Sequence, residues 1–78
     1  MPTVRMYSRP GCHLCDEARE MILALRARVP FAFEEVDVSG DDELELAYGI
    51  RIPVVLVDAE ERFEIAVDEE ELEAVLRG

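Results

Sequence analysis

Apolar residues recur along the chain with two periods. Val4 and Met6 alternate with polar neighbours across Thr3-Val4-Arg5-Met6-Tyr7, and Ser8-Arg9-Pro10-Gly11 follows, which predicts a short strand and a turn. From about Cys12 to Val29 the spacing becomes helical. Leu14, Ala18, Met21, Ile22, Leu25 and Val29 fall on one side of a wheel, and Pro30 is the expected stop. On that wheel Cys15 lies at the edge of the apolar stripe, whereas Cys12 points away from its centre. Phe31 to Val38 is rich in aromatic and branched residues and reads as a second strand despite Glu34 and Glu35. Ser39-Gly40-Asp41-Asp42 supplies turn and capping residues for a short helix carrying Leu44, Ala47 and Tyr48 and stopped by Gly49. Val54 to Asp58 is continuous enough for a buried strand, and Phe63, Ile65 and Val67 alternate beyond a polar tip at Ala59-Glu60-Glu61, predicting a hairpin. Asp68 and Glu71 have the spacing of a capping box, and Leu72, Val75 and Leu76 give the last helix one apolar side.

A strand, helix and strand in succession form a parallel crossover, and the later hairpin must share its core. The expected fold is therefore α/β, a four-stranded mixed sheet flanked by three helices, the order of a minimal thioredoxin fold. With 78 residues, positions 1–78 make one domain, because two separate cores could not both be stable. Half of the residues are hydrophobic and about a third charged, which places the chain among folded globules and not disordered tails.

Charge narrows the partners. Nineteen acidic residues face eight basic ones, all arginine, for a formal net charge of −11. A polyanion would be repelled, so no nucleic acid is expected. Anionic glutathione would approach against the same field unless local arginines compensate. No membrane is expected either, since the longest apolar run, Pro53 to Val57, is too short to cross a bilayer. The start of the chain lacks the basic and apolar segments of a secretory signal, so a cytoplasmic location is the default. In such a reducing setting, a lone pair of cysteines is more often catalytic or metal-binding than structural.

The candidate chemistry lies in Gly11-Cys12-His13-Leu14-Cys15, where the first strand meets the first helix. Cysteines three residues apart on a helical turn can form a disulfide, and the helix start offers unpaired N–H groups and partial positive charge. Cys12 is thus the expected nucleophile and Cys15 the resolving thiol. His13 and Arg9 are candidates for stabilising the Cys12 thiolate, while Asp16 and Glu17 oppose them, so a modest lowering of the Cys12 pKa from about 8.5 is expected. Arg51-Ile52-Pro53 precedes the apolar strand. A proline is excluded from central ladder positions, and a cis bond before Pro53 would leave the Ile52 backbone free to pair with an extended substrate.

These residues together resemble the glutaredoxins and, more closely, a short glutaredoxin-like group with a Gly-Cys-x-x-Cys-Asp signature. The likeness rests on Gly11 to Asp16, on Tyr48-Gly49-Ile50-Arg51-Ile52-Pro53-Val54 and on the order of elements. It implies a nucleophilic Cys12, a cis Pro53, a basic residue before the motif at Arg9, and substrate contacts from Arg51, Ile52, Pro53 and Asp68. The chain departs from that family at Ile65-Ala66-Val67-Asp68, where a Gly-Gly pair, a small residue and Asp are usual, and at His13-Leu14, where Pro-Tyr is usual. The expected function is thiol–disulfide exchange on protein or small-molecule disulfides by a monomer recharged by a thiol or a reductase. No cofactor is expected, with glutathione as a co-substrate to be tested. The competing reading is a redox-inert or metal-bridged interaction module of the same fold. Cys12, Cys15 and His13 are the only soft ligands in the chain, fewer than a closed zinc site needs, so no metal is expected.

Overall fold

The computed structural model describes residues 1–78. In chain order the elements are β1 (Thr3–Ser8), α1 (His13–Leu25), β2 (Ala32–Asp37), α2 (Asp42–Tyr48), β3 (Val54–Val57), β4 (Glu60–Glu64) and α3 (Glu69–Arg77). The strands form one mixed sheet in the order β2-β1-β3-β4. β1 runs parallel to β2 and antiparallel to β3, and β3 runs antiparallel to β4. This is the thioredoxin-like α/β arrangement expected from the sequence. No helix is long and apolar enough to cross a membrane.

The uninterrupted apolar run of β3 is explained by coverage on both faces. Val55 and Val57 join Val4, Met6, Ile22, Leu25 and Leu72 in the main core, while Val54 and Leu56 join Tyr7 and Val38 in a smaller cluster beneath α2. Tyr7 and Tyr48 stack there with ring centroids 4.1 Å apart, locking α2 onto β1. α1 buries Cys15, Ala18, Ile22 and Leu25 along one stripe.

Four expectations need correction. α1 stops at Leu25 and not at Val29, because Ala27 and Arg28 turn back on Ala24 and Leu25 in tighter three-residue bonds that swing buried Val29 into the core. Leu14 is 47 % exposed and lies outside the core. The hairpin tip is Asp58-Ala59, whose positive φ values of 50° and 69° suit a two-residue turn, so β4 begins at Glu60. β4 also ends at Glu64. Ile65 takes φ 68°, which breaks the alternation that predicted a strand through Val67.

Candidate active site

Gly11 turns the chain out of β1 with φ 81°, and Cys12 then adopts extended angles as the residue capping α1. Its Sγ accepts a hydrogen bond from the Cys15 N–H at 3.2 Å, the role an oxygen of Ser, Thr or Asp usually fills. Cys12 and Cys15 are joined as a disulfide, with Cα atoms 5.2 Å apart. The two sulfurs occupy different surroundings. Cys15 is fully buried in the main core, while Cys12 is partly exposed and packs on that core from outside. Of the two, Cys12 is the residue open to solvent.

Ile52-Pro53 is a cis peptide bond, and Pro53 is fully buried. Ile52 packs against both apolar clusters, the main one shared with Cys12. The N–H and C=O of Ile52 have no partner within the chain.

The remaining residues singled out from the sequence have other partners. The Arg9 guanidinium pairs with Glu45 and donates to the Gly49 carbonyl, tying the turn before α1 to α2. Arg51 pairs with Glu61 at 2.8 Å and Glu64 at 3.0 Å, donates to the Ala47 carbonyl and lies over the Tyr48 ring. These hydrogen bonds, Glu61 foremost, hold its pKa above the usual arginine value. Asp68 caps α3, its carboxylate accepting from the Glu71 N–H at 2.9 Å. The His13 side chain is 88 % exposed and 3.8 Å from Glu17. Cys12 and Cys15 are joined to each other and Ile52 packs on the same main core, whereas Arg9, Arg51 and Asp68 are occupied in bracing the fold.

Sequence reasoning missed a cleft of about 200 Å³ between α1 and the β4–α3 connection, walled by Leu14, Ala18 and Met21 of α1 and by Ile65, Ala66 and Val67 before α3. Its signal was present: an isoleucine stands where related motifs carry glycine.

A profile of the glutaredoxin-like domain (DUF836) matches residues 3–77. The chain belongs to the glutaredoxin-like family. An uncharacterized protein of Mycobacterium tuberculosis is 33 % identical over 78 residues, covering 94 % of this chain and 80 % of its own. A glutaredoxin-like protein of Dictyostelium discoideum is 31 % identical over 84 residues, covering 95 % and 78 %. Among solved structures, an X-ray structure of an X. campestris protein is 36 % identical and covers 95 % of each chain with a TM-score of 0.75. A thioredoxin from Halobacterium salinarum, 22 % identical with a TM-score of 0.71 over 97 % of this chain and 72 % of its own, shares the fold. The glutaredoxin-like chain thus combines a thioredoxin-like fold with a Cys-x-x-Cys pair at bonding distance, which gives it redox capacity.

Proposed function

We propose that this glutaredoxin-like chain is a thiol–disulfide oxidoreductase, with Cys12 the nucleophile and Cys15 the resolving thiol. The observation that carries the reading is the inequality of the two sulfurs: one accessible at a helix start, the other buried one turn behind and within bonding reach. In the reduced protein the Cys12 thiolate would be stabilised by the Cys15 N–H and by the helix terminus. It attacks one sulfur of a substrate disulfide; the Cys12–substrate bond forms, the substrate S–S bond breaks, and one substrate thiolate leaves and takes up a proton. The Cys15 thiolate then attacks Cys12 Sγ, forming the Cys12–Cys15 disulfide and releasing the second substrate thiol. Two electrons pass to substrate, and an external thiol or reductase restores the dithiol in a reducing, cytoplasmic setting. The free Ile52 backbone supports an extended substrate chain lying beside Cys12. With Arg9 and Arg51 paired to carboxylates, little positive charge is left to draw glutathione in.

Trapping tests the reading. Cys15→Ala incubated with a disulfide substrate accumulates a Cys12 mixed disulfide by mass spectrometry, and Cys12→Ser accumulates none. Absence of any adduct on Cys15→Ala would return the chain to the inert-module class, and metal content after anaerobic purification would then decide whether that module is bridged by zinc.

A further inference from the structure

The Gly-Cys-x-x-Cys-Asp signature ends on Asp16, a carboxylate one turn beyond the nucleophile. The Asp16 N–H donates to the Cys12 carbonyl at 3.1 Å, so the two residues are neighbours across the first turn of α1. A negative charge at that place disfavours a Cys12 thiolate, the form of the thiol that reacts. By sequence alone, Asp16 works against the site.

The carboxylate is not left free. Asp16 Oδ1 accepts from Arg19 Nη1 at 2.9 Å. Arg19 is gripped in turn by Glu35 of β2, whose two oxygens accept from its Nε and Nη2 at 2.6 Å each, and Glu35 also accepts from the Ser8 hydroxyl at 2.6 Å. This chain of bonds lines a polar cavity of about 370 Å³ together with Arg9 and Pro10, the segment that leads into Gly11 and Cys12. The bonds to Glu35 first, then that to Asp16, hold the Arg19 pKa above the usual arginine value, so its charge is permanent. Other charges near the turn are already matched: Arg9 by Glu45, Arg51 by Glu61 and Glu64, Asp37 by the Ser39 N–H and hydroxyl, and Asp68 by the Glu71 N–H. His13, 3.8 Å from Glu17, matches it only when protonated.

We infer that Arg19 is a positioning residue for the exchange reaction: fixed by its fork to Glu35, it takes up the Asp16 carboxylate and so lets Cys12 ionise beside it. The inference rests on the oxidoreductase reading and adds to it a residue that acts through Asp16. An exposed ion pair within one helix is weak by itself, because two flexible side chains must be ordered in water. Anchoring on β2 removes that cost, since the guanidinium is already held in place when Asp16 meets it.

The full-length chain carrying Cys15→Ala isolates Cys12, whose ionisation is followed across pH by thiolate absorbance and by the rate of alkylation with iodoacetamide. In that background Arg19→Ala raises the pH of half-ionisation by about 0.5–1 and slows alkylation below it about three- to tenfold. Asp16→Asn alone changes little, because its charge is already met, yet added to Arg19→Ala it returns Cys12 to the parent behaviour. Arg19→Lys restores part of the effect, keeping the charge without the fork. An arginine that only braced the fold would show no such rescue, since removing the Asp16 charge repairs no packing. If Arg19→Ala does not fold, Arg19→Ala/Glu35→Gln, in which no carboxylate is left unpaired on β2 beside Ser8, carries the same comparison against Glu35→Gln. No rise on loss of Arg19, or a rise that Asp16→Asn does not reverse, overturns the positioning role and leaves the oxidoreductase reading standing wherever Cys15→Ala still forms its mixed disulfide. A Cys15→Ala chain that is alkylated but forms no adduct with any disulfide overturns both.

Discussion

Cys12 acts as a structural cap and as the exposed end of the redox pair, and the two roles use the same sulfur. Because Cys15 is fully buried among apolar side chains, its substitution separates packing from polarity. Cys15→Ser places a hydroxyl where no acceptor waits, and against Cys15→Ala it should be less stable by about 1–3 kcal/mol, read from urea unfolding of both under reducing conditions. Alanine is for that reason the better trapping variant. Gly11 offers a purer backbone test. A Cβ there meets nothing within 4 Å, yet φ is 81°. Gly11→Ala should therefore cost about 1 kcal/mol through conformation alone, with no change in the native packing.

Between elements, charged side chains act as ties. Glu35 of β2 accepts from Arg19 of α1 and from the Ser8 hydroxyl of β1, joining three elements. Those bonds, Arg19 first, hold its carboxyl below the usual 4.5 against the opposing effect of burial. The folded state thus favours the ionised form. Its contribution is present in full above the usual value and is lost as pH falls through the lowered one. Glu35→Gln should lower the melting temperature at neutral pH, and the gap to the parent should shrink as the buffer is taken below about pH 4.5. A gap that does not close in acid would show that Glu35 acts by packing. At the start of α3, Asp68→Ala should cost about 1 kcal/mol and Asp68→Asn much less, as expected for a cap whose oxygen, not its charge, satisfies the Glu71 N–H.

Over the whole molecule, excess negative charge sets the response to salt. Seven of the eight arginines are already engaged with carboxylates, leaving the net charge of −11 as unscreened repulsion. Raising salt from about 0.01 to 1 M shortens the screening length from about 30 to 3 Å and should raise the melting temperature, since long-range repulsion is lost before close ion pairs are. A fall would mean that the exposed pairs outweigh the net charge. Under the proposed function the same field opposes the approach of anionic substrates, so chemistry and stability would share one electrostatic cause.

Local pattern carried a great deal. The order of seven elements, the buried third strand, the cap at Asp68 and the placement of the cysteines at a helix start all follow from residues a few positions apart, where backbone geometry makes neighbours of i, i+2, i+3 and i+4. Partner choice across the fold was not legible in this way. Arg9 meets Glu45, 36 positions on, and Arg51 meets Glu61 and Glu64, so an arginine read as stabilising the Cys12 thiolate and one read as a substrate ligand are both paired within the protein itself. Ile65 and Leu14 fit the alternation of a strand and the stripe of a helix, yet both face the cleft. Only the meeting of the β4–α3 connection with α1 and the proline loop decides that, because a left-handed φ is tolerated at Ile65 only when distant carbonyls hold its N–H in place.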